Sequence, residues 1–402
     1  MGSCDIIQIM KDMLLSRAKD VVVRPELERM LESKKLRVKF GIDPTGPILH
    51  LGRASTVRRL RNLQDMGHQI VLIVGDFTAK IGDASDKTSE RQVLSDEVIR
   101  ANMADYKRQL GLILDMNKVE FHYNSEWLSK IPLDDFIGLA QQFTVAQMIE
   151  RENYAIRFKE NRPIGLHEFL YPILQGYDSV AVRADVEIGG TDQLFNLMAG
   201  RTMQKQAGQA PQQVVTFDLL TGPDGRKMST SWGNAIYITD TPQDMYGKLM
   251  RINDELIAQY YRICTDVPED VIEQVVADIA AGANPRDTKA SLAREIVRLY
   301  HGEDAAVEAE EAFNRLFRDK KELTDADLIE KKIDGGISSS FIYELLYELE
   351  LCPSKSEAKR LIQQNGVKLN NEIVALEQEH YLKTGDIISI GKHRHYKILI
   401  NT

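Results

Sequence analysis

Two short strings carry residue types suited to handling phosphates. His50-Leu51-Gly52-Arg53 joins an imidazole and a guanidinium to a glycine that lets a flat group approach the backbone. Lys227-Met228-Ser229-Thr230-Ser231 follows the turn Thr221-Gly222-Pro223-Asp224-Gly225-Arg226 and sets an ammonium beside hydroxyls. Helix N-termini and amide-rich loops with cations both hold phosphate oxygens without a special cavity. Each string alone also fits an ordinary surface helix start or a solvated charged turn. The sequence shows no nucleophile with an adjacent base and no metal cluster. The chemistry it offers is positioning and charge stabilisation.

The flanking pattern supplies a frame. Leu36, Val38, Phe40 and Ile42 alternate as a strand does, and Asp43-Pro44-Thr45-Gly46-Pro47 breaks it. Leu51, Ala54, Val57, Leu60 and Leu63 recur every three residues, one face of a helix ending near Gly67. The apolar run 70–74 reads as a buried parallel strand. Strand, crossover helix and strand predict an α/β fold, a doubly wound parallel sheet of Rossmann-like type, with His50 at the start of the crossover helix.

Further along, residues 1–32 read as helical, 95–114 as one helix, 120–123 as a strand and 133–160 as an inserted helical pair. A helix is expected over 167–177, an alternating strand over 180–188 and a short strand over 214–220. Helical patterns dominate from Pro242 to about Leu328, and Lys331-Lys332-Ile333-Asp334-Gly335-Gly336 looks like a linker. The domains expected are a catalytic domain over 1–235 with a helical insertion at about 125–162, an α-helical domain over 236–330, a linker at 331–337 and a small α+β module over 338–402.

The chain has 402 residues, enough for two or three domains, and 43% apolar with 28% charged residues is a globular composition. No apolar run approaches the roughly 18 residues of a membrane span, so no membrane association is expected. Residue 6 is Ile rather than Ser or Thr, so the Met-Gly start does not fit acylation, and no signal peptide is expected. Cys4, Cys264 and Cys352 form no Cys-x-x-Cys pair, which points away from disulfides and structural zinc and toward a reducing cytoplasm. At net charge −9, nucleic-acid contact requires local basic patches.

In this order the two phosphate-type strings resemble the HIGH and KMSKS motifs of class I aminoacyl-tRNA synthetases. Tyr171-Pro172-Ile173-Leu174-Gln175-Gly176-Tyr177-Asp178, Gly189-Gly190-Thr191-Asp192-Gln193 and Ile81-Gly82-Asp83 resemble pocket segments of the tyrosyl-tRNA synthetase family, in its bacterial branch. Ser354-Lys355-Ser356-Glu357-Ala358-Lys359-Arg360 resembles the RNA-binding module of ribosomal protein S-four. The similarity spans essentially the whole chain.

This resemblance implies roles. Asp178 would accept a hydrogen bond from the phenol of L-tyrosine. Tyr171, Gln175 and Asp83 would hold the ammonium, Gln193 would lie near the carboxylate, and Asp43 would line the pocket floor. Lys39, which stands where many members place a second tyrosine at the hydroxyl, is counted with these tyrosine-binding residues. Gly41, Gly52, Gly190 and Asp192 would accommodate ATP, and Thr45, His50, Lys227, Met228 and Ser229 would meet its phosphates. Arg53 and Thr230 occupy positions where the family usually has a second His and a second Lys. ATP is implied as substrate with Mg²⁺ carried on it, and tRNA(Tyr) as acceptor, met in part through Lys355, Lys359 and Arg360; Lys392, Arg394 and Lys397 form a second basic cluster. The stretch from Phe143 to Arg151 would carry a homodimer interface. A tryptophan-activating relative and a non-catalytic RNA-binding paralogue are the alternatives; Asp178 and the C-terminal module argue against the former.

Overall fold

The computed structural model describes residues 8, 11–12, 14–83, 95–317, 328–334, 340–376, 379–391 and 394–401. These fall into two compact units: Met1–Thr239 with Ile252–Leu292, and Asp240–Arg251 with Ala293–Thr402.

The first unit is built on a six-stranded sheet. Its strands are β1 (Asp20–Val21), β2 (Arg37–Ile42), β3 (Gln69–Val74), β4 (Val119–Tyr123), β5 (Val186–Gly190) and β6 (Gln213–Phe217), in the order β1-β6-β5-β2-β3-β4. All neighbours run parallel except β1, which pairs antiparallel with β6. The chain leaves β2 toward β3 and β4, then returns to place β5 on the other side. The sheet order therefore reverses between β2 and β5, where doubly wound sheets open a crevice at their C-terminal ends.

Helix α1 (Leu51–Asp65) is the crossover between β2 and β3, and it buries Leu51, Ala54, Val57, Leu60 and Leu63. Helices α2 (Tyr171–Val182) and α3 (Leu194–Gln206) flank β5 in sequence. The alternation in β2 predicts one buried face, yet Lys39 on the other face is buried as well. Helices cover both sides of a parallel sheet, so a charged residue there must carry its partner with it.

Several elements differ from the sequence reading. The strand expected from Val180 begins at Val186, because α2 continues to Val182 and ends at Arg183 in the left-handed region at φ 50°. Apolar residues two apart fit either period over so short a run. The helical pair expected over 133–160 is three short helices, Leu133–Ala140, Val145–Ile149 and Glu152–Lys159, with a Thr144–Gln147 capping box starting the second. The helix over 95–114 is broken into Asp96–Met103 and Tyr106–Leu110. In the N-terminal stretch, β1 precedes helix Arg24–Ser33; residues 1–7, including Cys4, lie outside the described set.

In the second unit, helix Pro242–Leu249 packs on Glu303–Phe317, with the Tyr246 and Phe313 rings 5.4 Å apart. The remaining strands are β7 (Ile329–Asp334), β8 (Ser340–Phe341), β9 (Val367–Leu369), β10 (Glu372–Ile373), β11 (Glu379–His380), β12 (Ile387–Ile390) and β13 (Arg394–Asn401). A five-stranded sheet runs β10-β9-β12-β13-β7. Helices α4 (Ile342–Glu348) and α5 (Lys355–Gln363) belong to the same module, whose core includes Leu345, Ala358, Ile362, Ile388 and Ile398. The expected linker is a strand as far as Asp334: β7 pairs parallel with β13 at the sheet edge, a position that tolerates the charges of Lys331 and Lys332. Gly335 and Gly336 lie outside the described residues.

Candidate active site

A cavity of about 290 Å³ opens where the C-terminal ends of β2, β3 and β5 meet α1, α2 and the 219–230 loop. Gly41, Asp43 and Thr45 come from the end of β2; His50, Gly52 and Arg53 from the start of α1; Asp83 follows β3. Tyr171, Gln175 and Asp178 are supplied by α2, Gly190, Asp192 and Gln193 by the end of β5, and Lys227, Met228, Ser229 and Thr230 by the loop. The structure thus gathers the residues expected here around one cavity, with Lys39 as the exception.

Lys39 lies beneath the cavity floor and is wholly buried. Its Nζ is 2.8 Å from Glu187 Oε1 and donates to the Gln175 carbonyl at 2.9 Å and to Ser179 Oγ at 2.8 Å. Those three partners use all its donors. The expectation that Lys39 binds tyrosine is corrected accordingly: it does not line the cavity, and its head group is bonded to the wall residues Gln175 and Glu187 from behind. Glu187, unnoticed in the sequence, also accepts from Gln175, Ser179 and Gln212.

The deep end is a polar relay. The Tyr171 hydroxyl donates to Asp43 Oδ2 at 2.9 Å, and Thr78 Oγ1 donates to Asp43 Oδ1 at 2.8 Å. Asn124 Nδ2 donates to Thr78 Oγ1 at 3.0 Å and to Asp178 Oδ2 at 3.3 Å. Trp127 Nε1 donates to Asp178 Oδ1 at 2.7 Å. Asp178 is 3% exposed, and burial pushes its carboxyl up to about 7 against the opposing Lys39 charge and these two donors. Gly75 is required beside this relay: a Cβ there would stand 2.0 Å from Asp43 Oδ1 and 2.3 Å from Thr78 Oγ1. Thr78, Asn124 and Trp127 escaped the sequence reading. Their one signal is position, just past the C-terminal ends of β3 and β4, where parallel sheets build their sites.

On the neighbouring wall, Gln193 Nε2 donates to Asp83 Oδ2 at 2.6 Å. Arg151 reaches the other Asp83 oxygen at 3.4 Å and is held between the rings of Tyr154 and Phe195.

The outer end carries the cations. His50 is the N-cap of α1, clipped in place by Leu51 N–H to the Ile236 carbonyl and Ile238 N–H to the Leu49 carbonyl. Its ring lies over Gly52, where a Cβ would come within 3.1 Å of Nδ1. That Nδ1 is buried with no hydrogen-bond partner among the described residues. Burial first, then Arg53 and Lys227, hold the imidazole down to about 3, so it is neutral at ordinary pH. Arg53 donates to Thr45 Oγ1 at 2.7 Å and reaches the Asp43 carbonyl and the Tyr106 hydroxyl at 3.4 Å, bracing the 43–47 turn. Lys227 Nζ is 3.0 Å from Asp192 Oδ2. Asn234 folds the loop by accepting from Ser229 N–H and donating to the Lys227 carbonyl. Arg226 is off the cavity wall, paired with Asp224 and stacked over Trp232 at 5.0 Å.

In the second unit, Lys355, Lys359 and Arg360 share α5. Lys355 pairs with Glu344 at 2.8 Å, Arg360 with Glu357 at 2.7 Å, and the Lys359 ammonium sits 4.3 Å from the Tyr343 ring centre. Arg394 and Lys397 lie on β13, and Lys392 falls outside the described residues.

A crevice at a sheet reversal, a neutral histidine at a helix start and a lysine loop facing it form the kind of site that suits a nucleotide's phosphates. Comparison with known proteins agrees. Residues 31–318 match the family described as tRNA synthetases class I (W and Y), and 344–387 match the S4 domain. The chain belongs to the class I tRNA synthetases of this W and Y family. A tyrosine–tRNA ligase of Thermotoga maritima is 46% identical over 383 residues, 94% of each chain. One from Haemophilus influenzae is 43% identical over 376 residues, covering 93% of this chain and 92% of its own. Among solved structures, the fold is shared with the tyrosyl-tRNA synthetase of Archaeoglobus fulgidus complexed with L-tyrosine, at TM-score 0.61 and 24% identity over 77% of this chain and 100% of that one. A C-terminally truncated mitochondrial tyrosyl-tRNA synthetase of Aspergillus nidulans gives TM-score 0.63 at 22% identity, over 78% and 99%.

Proposed function

We propose that this chain is a tyrosine–tRNA ligase: it activates L-tyrosine with ATP to tyrosyl-adenylate and pyrophosphate, then transfers the tyrosyl group to tRNA(Tyr). The observation that supports this most is the closed end of the cavity. Asp178 there accepts from two neutral donors and keeps lone pairs for a phenol hydroxyl. Phenylalanine would leave that desolvated carboxylate without its third donor.

Tyr171, Gln175 and Asp83 bind the substrate ammonium, Gln193 lies by its carboxylate, and Asp43 ties Tyr171 to the floor. Gly41, Gly52, Gly190 and Asp192 receive the nucleoside of ATP. The substrate carboxylate attacks the α-phosphate, the α–β bridging bond breaks, and pyrophosphate leaves. His50 Nδ1, Thr45 and Lys227 stabilise the charge that develops, with Met228, Ser229 and Thr230 shaping the loop over the phosphates and Arg53 fixing Thr45. A terminal ribose hydroxyl of the tRNA then attacks the adenylate carbonyl, and AMP leaves. Mg²⁺ enters on ATP as its counter-ion.

The S4 domain takes tRNA away from its acceptor end through the basic face of α5. The enzyme works as a homodimer. Of the expected Phe143–Arg151 stretch, Met148 and Arg151 are buried and Phe143 packs against the Met148 cluster, while Val145 is exposed; Leu133, Ile137, Phe158 and Leu166 add large exposed apolar side chains, Leu166 at 77%. No helix among the described residues is long and apolar enough to cross a membrane, and Cys264 and Cys352 are free thiols; we place the protein in the cytoplasm.

Pyrophosphate exchange with each amino acid in turn tests the reading. Tyrosine alone should support exchange, and tRNA(Tyr) should then be charged. Exchange with tryptophan, or with none, would overturn it.

A further inference from the structure

Lys39 and Glu187 form a buried ion pair that the mechanism above does not use. They are register partners on β2 and β5, both essentially unexposed, and every donor of the ammonium is taken. Two of its partners, the Gln175 carbonyl and Ser179 Oγ, lie on α2 and bracket Asp178 in sequence. Buried ion pairs are weak devices for stability, since apolar replacements of similar volume often do as well. This one is bonded to Ser179, the residue next to the group that reads the substrate hydroxyl.

We propose that Lys39 is a positioning residue for tyrosine recognition: it ties α2 to β5 on either side of Asp178 and supplies the positive charge that opposes protonation of that carboxyl, enlarging its ionised, accepting fraction. The proposal rests on the functional reading above. Among the described residues Asp178 has neutral donors only, Trp127 and Asn124. The charges that act on it from the packed elements are Lys39 of β2, which favours the carboxylate, and Glu187 of β5, which opposes it. Asp43 is turned to Thr78 and Tyr171, and His122 stands behind the Trp127 ring, held by Glu120 and Glu126. A protonated Asp178 would offer a donor where the phenol also donates, and recognition would weaken. Lys39 thus acts on the substrate hydroxyl through Asp178, without touching it.

The test is the pH profile of kcat/KM for tyrosine in pyrophosphate exchange, which reports groups titrating in the free enzyme. Lys39→Met should move the acid limb up by roughly one unit, the lower end of what a neighbouring opposite charge does, and Glu187→Gln should move it down. Because Lys39→Met strands Glu187, Lys39→Met/Glu187→Gln removes both charges together and keeps an amide at 187. The Lys39 effect outweighs that of Glu187, so the double variant should also titrate higher than wild type. KM for ATP should hold, and discrimination against phenylalanine should fall below the wild-type limb. A double variant with the wild-type acid limb, whatever its KM, would reduce Lys39 to a packing element. Wild-type protein without tyrosine-dependent exchange would instead sink the functional reading itself.

Discussion

The indole of Trp127 donates to Asp178 across 51 residues of sequence, 2.7 Å from Nε1 to Oδ1. With Asn124 it holds a buried carboxylate that lines the cavity. Asp178→Ala should lower kcat/KM for tyrosine by at least about 10–100-fold, the value of a hydrogen bond to a charged group, and leave KM for ATP unchanged. Steady-state exchange with each substrate varied separately measures both.

Asp178 also leaves a signature on stability. Its carboxyl rises from 3.8 to about 7 on folding, so between those values the folded chain holds a proton that the unfolded chain has released. The contribution is present below about pH 4 and is lost as pH rises through 7. Urea midpoints of wild type minus Asp178→Ala, followed from pH 4 to 8, should decline across that window. A flat difference would contradict the burial assigned to this group.

His50→Ala should slow adenylate formation about 10²–10³-fold in single-turnover measurements, with the tyrosine dissociation constant nearly unchanged. A raised dissociation constant with an intact rate would make His50 a helix cap only. Its imidazole falls from 6.5 to about 3 on folding, so no limb from His50 should appear in the rate profile near neutrality.

Thr230→Lys restores a cation to the loop and should increase the adenylation rate. Arg226→Ala should leave it within about twofold, because Arg226 is engaged by Asp224 and Trp232 off the cavity wall. A large loss in Arg226→Ala would show that this side chain swings in when ATP binds.

Ending the chain after Phe317 should preserve tyrosine-dependent exchange and abolish most tRNA charging. The cut falls before β7, which pairs with β13 and would otherwise lose its partner strand. In the full chain, reversing the charges of Lys359 and Arg360 should weaken tRNA binding and reduce the salt slope by about one for each phosphate no longer neutralised. Charging at the wild-type level by the shortened protein would show the S4 domain to be dispensable.

The parts of this architecture legible in sequence are those set by local rules. The apolar run of β3, the three-residue period of α1 and the break at 43–47 placed His50 at a crossover helix. The outer wall was legible too, since glycines, cations and hydroxyls cluster there in contiguous strings. The relay was not: Thr78, Asn124 and Trp127 come from separate strand ends, and only the sheet order brings them to Asp178. Lys39 misled because a motif position tells which residue it replaces, while what its longer, charged side chain meets is decided by α2 and β5. The strand placed at Val180 failed for a related reason, a two-residue period inside a helix that ends at a left-handed arginine.

The chain has two tryptophans, one bonded to a residue that lines the cavity and one in the loop that carries Lys227 to Thr230. Trp127 is bonded to the carboxylate at the cavity's deep end, and Trp232 lies half exposed under the Arg226 guanidinium beside the lysine loop. Each half of the site therefore has its own intrinsic fluorophore. Emission from Trp127 in Trp232→Phe would follow entry of the amino acid, and emission from Trp232 in Trp127→Phe would follow closure of the loop on the nucleotide. Both steps can be followed optically without an attached label, with Trp127→Phe reserved for the nucleotide alone, since it costs Asp178 a donor.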